Sequence, residues 1–174
     1  TLNPISREMA ALRPSLLPGV LDVMAYNQNR GQRALRFAEF GHVFHRADRS
    51  SETLVPGYAE HESLLLAVSG PAHTMGWSTA ERDADFFDLK GAVEHLLAML
   101  HVEARMEVVA DGDGIGPHRL ILSSGKERLG VLARVADGVM EPRDLRTPVY
   151  FAELDFDVLT RLATAGGIRA YAPI

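Results

Sequence analysis

The sequence contains no cysteine, which excludes disulfide bonds, thiol catalysis and cysteine-ligated metals within this chain. It also lacks any run of about eighteen apolar residues, so we expect no membrane-spanning helix. Its first residues lack the charged and apolar regions of a secretory signal peptide. These absences are typical of a cytoplasmic protein, and that is the location we predict.

Lysine is scarce, since Lys90 and Lys126 are the only two, and the formal net charge is −5. Modules that bind nucleic acids usually need a basic face, because cationic side chains at the phosphates supply most of the affinity. We therefore do not expect this chain to bind nucleic acid by itself. With 174 residues, 47% of them hydrophobic, the chain can bury one ordinary core, and we predict a single domain over residues 1–174.

One amphipathic helix is predicted between Ser15 and Gly31. Ser15 is its expected N-terminal cap, Pro18 falls in the first turn, where no N–H is needed, and Gly31 closes the C-terminus. Apolar residues recur at helical spacing and form one stripe, which consists of Leu17, Val20, Leu21 and Met24.

The remaining pattern mixes hairpins with helices and shows no regular strand–helix–strand alternation. It predicts strands over 33–46, 63–69, 105–110, 118–123, 128–135 and 149–154, a long loop over 45–61, and helices from Asp85, near 141–145 and over 157–163. This order indicates an α+β fold, with an antiparallel sheet flanked by helices.

Three patterns that could carry chemistry each lack a required partner. The acidic loop over 111–116 lacks calcium ligands at its fifth and twelfth positions, which are Ile115 and Leu122. His42 and His45, three apart on a strand, point to opposite faces and form no metal pair. Ser78 lies in a sequence close to a hydrolase nucleophile elbow, but no hydrophobic strand leads into it. We predict no catalytic, cofactor-binding or metal-binding residue in this chain.

Several ordered motifs carry a more specific signal. They are NPIS (residues 3–6), LRPSLLPG (12–19), NQNRG (27–31), FAEFGHVF (37–44), DFFDLKG (85–91, preceded by Trp77) and VYFAELD (149–155), with YAPI (171–174) at the end. Together they resemble the catalytic-like core of bacterial phenylalanyl-tRNA synthetase β subunits, and the resemblance covers nearly the whole chain.

The resemblance implies a class II aminoacyl-tRNA synthetase-like core that is a fragment of a longer chain. It also implies a partner, the catalytic α subunit, in a heterotetramer of two α and two β subunits. That holoenzyme would join phenylalanine to its tRNA with ATP and magnesium (Mg²⁺). In this fragment the resemblance implies no cofactor, and contact with tRNA only through the holoenzyme.

The first phosphate-binding motif of a class II active site is changed here. That motif, F-R-x-E, needs an arginine because the planar guanidinium bonds phosphate oxygens in bidentate fashion. Alignment on Glu39 places Phe37 at the arginine position, and the adjacent Arg36 points to the opposite face of the strand. We expect Glu39 to be a buried or half-buried structural acid with a hydrogen-bond partner.

The second phosphate clamp, G-x-G-x-x-x-E-R, is also incomplete. Glu127 and Arg128 match its end, but the glycines would fall at Ile121 and Ser123. Without either clamp we predict that the fragment alone is inactive.

The predicted subunit interface is the first helix and its approach, which comprise Arg13, Leu17, Pro18, Val20, Leu21, Met24, Asn27 and Arg30. Leu17, Leu21 and Met24 could equally face the core of the chain itself. An alternative function is a stand-alone class II-like regulatory or small-ligand-binding domain. A deep pocket with convergent polar groups would favour that alternative, and an exposed apolar helix face would favour the scaffold.

Overall fold

The computed structural model describes residues 12–47, 57–73, 81–109 and 119–166, with side chains up to residue 163. The motifs at residues 3–6 and 171–174, Trp77, Ser78 and the acidic loop at 111–116 lie outside the described residues.

The first helix, α1, runs over Leu17–Gln28, within the segment between Ser15 and Gly31 where a helix was predicted. The Leu17 N–H donates to Ser15 Oγ at 3.0 Å, although the N-cap position itself belongs to Leu16. Gly31 follows the helix with φ +84°, the left-handed conformation that glycine adopts without strain.

The described residues contain six strands and three further α-helices. The strands are β1 (Leu35–Arg46), β2 (Tyr58–Ser69), β3 (Arg105–Val109), β4 (Arg119–Ser124), β5 (Glu127–Arg134) and β6 (Val149–Asp155). The helices are α2 (Phe86–Met99), α3 (Asp137–Met140), which a 3-10 turn over Glu141–Arg143 extends, and α4 (Phe156–Gly166).

The strands form one sheet in the order β1-β2-β6-β5-β4-β3, and every neighbouring pair is antiparallel. The predicted α+β fold with an antiparallel sheet flanked by helices is therefore confirmed.

The predicted loop over 45–61 was wrong in extent. β1 and β2 stay paired as far as Arg46 and Tyr58. Both ends of the predicted loop belong to the strands, since His45 lies opposite Ala59 and Arg46 lies opposite Tyr58. The short helix expected near 141–145 begins earlier, at Asp137.

The sheet is covered on both faces, and each face has its own core. On the first face, α1 and the segment that contains α3 pack on β1, β2, β5 and β6; the buried residues include Leu16, Leu21, Met24, Leu65, Met140 and Phe151. On the second face lie α2 and α4, with Leu89, Val93, Leu122, Leu132, Leu154 and Leu159 buried. Each such side chain stabilises the fold by about 1.5–3 kcal/mol.

A network of charged side chains lies at the N-terminus of α2. Asp85 Oδ1 accepts hydrogen bonds from the Phe87 and Asp88 N–H groups at 2.8 and 3.0 Å, and Asp88 Oδ2 accepts from the Asp85 N–H at 2.8 Å. Arg82 donates to both Asp88 oxygens at 2.7 and 2.6 Å. The hydrogen bonds from Arg82 hold the pKa of the Asp88 carboxyl well below its usual value.

We expect Asp88→Asn to lower the melting temperature at pH 7. The ionised Asp88 carboxylate accepts hydrogen bonds from Arg82 and from the Asp85 N–H in the folded protein, and these contacts are absent from the unfolded chain. The pKa of this carboxyl is lowered on folding, so the stabilisation is complete above its unfolded pKa of about 3.9 and is lost progressively as the pH falls below that value. Thermal unfolding of both proteins across that range checks this, with Glu103→Gln as an exposed control. A difference between wild type and Asp88→Asn that stays constant down to the acid limit would contradict it.

Candidate functional site

The sheet face that carries Glu39 is crossed by residues 13–16, which we call the strap. Arg13 Nη1 donates to Glu39 Oε1 at 2.9 Å, and Arg13 Nε donates to the His42 carbonyl at 3.0 Å. The Phe44 N–H donates in turn to the Arg13 carbonyl at 2.9 Å. With its side chain 33% exposed, Glu39 is the half-buried structural acid that the sequence predicted.

The strap approaches β1 closely at Gly41. A Cβ atom at this position would lie 2.2 Å from Arg13 Nη2 and 3.0 Å from Leu16 Cδ2. Both atoms are the ends of flexible side chains, so a small residue here would displace the side chains of the strap rather than the sheet. Glycine at this position lets the strap lie flat on the strand.

Glu153 of β6 holds the strap at the N-terminus of α1. Its Oε2 accepts from Ser15 Oγ at 2.6 Å, and its Oε1 accepts from the Leu16 N–H at 2.8 Å and from Ser63 Oγ at 3.3 Å. A carboxylate at a helix N-terminus is stabilised by the unpaired N–H groups and by the helix dipole. Sequence reasoning missed this residue, although an acid between apolar strand residues was a usable signal.

The arginine nearest the expected phosphate clamp serves the backbone instead. Arg36 Nη1 donates to the Leu35 and Ser69 carbonyls at 2.8 and 3.1 Å, and Nη2 donates to those of Pro71 and Ala72 at 2.9 and 3.3 Å. Phe37, which takes the arginine position of the motif, packs half-buried against the first core. Within the described residues, the guanidinium that contacts Glu39 is that of Arg13, which is hydrogen-bonded to Glu39 itself.

A pocket of about 370 Å³ opens on the same face, past the N-terminus of α1. We call it the sheet-end pocket. Its polar lining consists of His45, His61, Glu62, Ser63, Arg128, Glu153 and Asp155. Arg128, the end of the incomplete second clamp, is an exposed wall of this pocket. The pocket has several polar lining groups but is open to solvent, so it meets only part of the description that would favour a ligand-binding domain.

The structure separates the predicted interface residues into two groups. The apolar stripe is buried in the core of the chain itself, where Leu17, Val20, Leu21 and Met24 are 8%, 2%, 1% and 0% exposed. A partner could therefore reach α1 only from its other side. The role of the helix in a subunit interface stays a prediction that a single chain does not test.

The other four predicted residues are not in the core. Pro18 and Arg30 are exposed, and Asn27 is half-buried with its Nδ2 donating to the Val23 carbonyl at 2.8 Å. Arg13 is bound to β1 through the strap.

Sequence analysis missed the apolar residues on the outward side of α1. Val23 and Tyr26 are 46% and 57% exposed, and the Arg30 guanidinium lies 3.4 Å from the centroid of the Tyr26 ring. The signal was their spacing, because positions 23 and 26 lie on one helix face and Arg30 follows Tyr26 by four residues, in the turn after the helix. The outward side of α1 therefore exposes an aromatic ring with a cation stacked on it.

Histidines and acids in the described ranges do not converge on a metal. No group of three or more of these side chains there could hold an ion. The rings of His45 and His61 lie 5.8 Å apart, whereas His42 is close to Glu60 and Glu62. Among the described helices, none is long and apolar enough to cross a membrane.

The fold is shared with solved aminoacyl-tRNA synthetases. Two structures of the pyrrolysyl-tRNA synthetase from Desulfitobacterium hafniense superimpose with TM-scores of 0.60 and 0.59, over 88% of this chain and 50% of theirs. At 14% sequence identity the likeness concerns the fold alone. It confirms the expected class II synthetase-like architecture.

Sequence comparison gives a closer relationship. The chain is 48% identical, over its whole length, to the phenylalanine–tRNA ligase β subunit of Salinibacter ruber, and 36% identical over 92% of its length to that of Chlorobium chlorochromatii. It spans only 22% and 21% of those proteins. Residues 1–156 match the family model described as the phenylalanyl tRNA synthetase beta chain CLM domain. The chain therefore belongs to the phenylalanyl-tRNA synthetase β-chain family, and corresponds to about a fifth of the length of its relatives.

Proposed function

We propose that this chain is a non-catalytic scaffold domain of a phenylalanine–tRNA ligase β subunit and binds the catalytic α subunit. Two such αβ units would form a heterotetramer that joins phenylalanine to its tRNA in the cytoplasm. ATP and magnesium would then be used at the catalytic site of the α subunit. The observation that carries the proposal is the strap, which with α1 covers the sheet face where Glu39 stands.

The strap supports a non-catalytic role because it covers the part of the sheet face that an ATP site would need. In the F-R-x-E motif the arginine and the glutamate act together, and here Glu39 is bound to Arg13 of the strap. Arg36 is bound to four backbone carbonyls. No catalytic rate enhancement is expected without groups that stabilise the developing phosphate charge.

The outward side of α1 supports the role in assembly. Tyr26 is more than half exposed, and the stacked Arg30 restrains the orientation of its ring. Tyrosine and arginine are enriched at interface positions that contribute most of the binding free energy. Pro18 and Val23 extend the exposed apolar surface along the same helix. The interface is thus proposed on the outward side of α1, while its inward side forms the core.

We expect Tyr26→Asp to weaken assembly with the α subunit, because a charge would replace an aromatic anchor. Loss of such an anchor costs about 2–4 kcal/mol, or roughly 30- to 1000-fold in affinity. The measurement is size-exclusion chromatography with light scattering on the full-length β subunit mixed with its α subunit. Leu21→Asp would not serve, since Leu21 is 1% exposed and its replacement would disrupt the core.

Val108→Asp is the matched control for this test. Val108 is 81% exposed on β3, at the opposite edge of the sheet from β1, so the same chemical change is made away from α1. We expect the control variant to assemble like wild type. If Tyr26→Asp assembles as tightly as Val108→Asp, the proposed interface on α1 is wrong.

A further inference from the structure

The sheet-end pocket differs from the rest of the first sheet face in its chemistry. Beside α1 the central strands present apolar side chains, such as Leu65 and Phe151, that are at most 1% exposed. Past the N-terminus of α1 the same strands present Ser63, Glu153 and Asp155, and these line the pocket. The polar end of this sheet face is therefore accessible to solvent, whereas the part beside α1 is packed as a core.

Opposite charges face this pocket from neighbouring strands without pairing. Arg128 of β5 and Asp155 of β6 both line it, and β5 and β6 are hydrogen-bonded neighbours. Within the described parts of the chain, neither side chain lies in an ion pair. Asp155 Oδ1 accepts a hydrogen bond from the Val158 N–H at 3.0 Å, which still leaves Oδ2 for a ligand.

The other two acids that line the pocket already have partners within the fold. Glu153 accepts hydrogen bonds from Ser15, Leu16 and Ser63, so both of its oxygens are occupied by neutral donors. A carboxylate oxygen of Glu62 lies 3.6 Å from His42 Nε2. Arg128 and Asp155 are therefore the pair of opposite charges that the pocket offers to a ligand. The pocket volume of about 370 Å³ falls at the small end of the range for small-molecule sites, which is about 300–1,000 Å³.

We propose that the sheet-end pocket binds a small zwitterion, a molecule with a primary ammonium group and a carboxylate. The ammonium group would lie against Asp155, and the carboxylate would bond the Arg128 guanidinium, which can engage both of its oxygens. A polyanion such as a nucleoside triphosphate does not fit, because Glu62, Glu153 and Asp155 all line the pocket. This site uses residues outside the proposed α1 interface, so the two proposals fail independently.

The test is a titration of the chain with L-alanine, acetate or methylammonium at constant ionic strength, followed by amide NMR. L-alanine should shift the Ser63, Gly130 and Asp155 amides saturably, with a dissociation constant of about 1–10 mM, which corresponds to two charge-assisted hydrogen-bonded contacts of about 1.5–2 kcal/mol each. Acetate and methylammonium each match one charge and should bind at least about fivefold more weakly. If the three probes bind alike, or if L-alanine does not saturate, the zwitterion site is excluded.

Two variants assign the binding to the named groups. Arg128→Gln and Asp155→Asn should each weaken L-alanine binding at least about fivefold, because each removes one charge-assisted contact. The asparagine Oδ1 can still accept from Val158. Lys126→Gln removes the same charge as Arg128→Gln at an exposed turn residue outside the pocket lining, and should bind like wild type. Binding that Arg128→Gln leaves unchanged would overturn the assignment.

Discussion

Gly70→Ala is expected to lower the free energy of unfolding by about 3 kcal/mol or more, the largest effect we anticipate for one methyl group. Gly70 directly follows β2 and has φ +75°, a conformation that residues with a Cβ atom rarely adopt. A Cβ atom there would lie 1.8 Å from the Arg33 carbonyl oxygen. Because that oxygen belongs to the backbone, the segment leading into β1 would have to move. Chemical denaturation of both proteins measures the difference.

Gly125→Ala is the matched control for Gly70→Ala. Gly125 also has a positive φ, +59°, but nothing lies within 4 Å of its would-be Cβ atom. Its replacement therefore measures the conformational strain alone, about 1 kcal/mol. Equal losses in the two variants would mean that the contact with Arg33 contributes nothing.

Glu153→Ala is expected to cost about 2–4 kcal/mol of stability and to release the strap. The variant leaves the Leu16 N–H without its acceptor and removes the carboxylate from the N-terminus of α1. Hydrogen exchange should therefore accelerate at Leu16 and at Phe44, whose N–H donates to the strap. Denaturation and exchange measured on the same protein separate loss of stability from local release.

Glu107→Ala serves as the control, since Glu107 is an exposed acid on the edge strand β3. It should change the stability by no more than about 0.5 kcal/mol. Glu153→Gln retains one carbonyl acceptor and should lose less stability than Glu153→Ala. Unchanged exchange at Leu16 and Phe44 in Glu153→Ala would show that the strap is held by other contacts.

Local patterns predicted the elements well where periodicity and end signals coincide. α1 and α2 were found because an apolar stripe is bounded by a proline or an aspartate cap at the start. β1 was predicted to its correct end, but β2 was predicted to start at residue 63 rather than at Tyr58, because the polar residues before it resemble a loop. There the cross-strand pairing, which no local pattern reports, keeps the strands together.

The contacts within the candidate site were harder to predict from the sequence. Glu39 was correctly expected to have a partner, but nothing local indicates that the partner is Arg13, 26 residues away. Glu153 and Ser15 are 138 residues apart and meet only because β6 lies at the centre of the sheet. Contacts of this kind depend on strand order, which a one-dimensional pattern does not contain.

The sequence alone determined the α+β class, the helix and strand order, the family resemblance and the loss of both phosphate-clamp patterns, since these depend on residue types at fixed local spacing. The tertiary structure decided which side of α1 is core and which is exposed. It also decided that the strap covers the Glu39 face and that Arg128 and Asp155 face one pocket. The physical reason is that burial and charge pairing arise between strands that are neighbours in the sheet but distant along the chain.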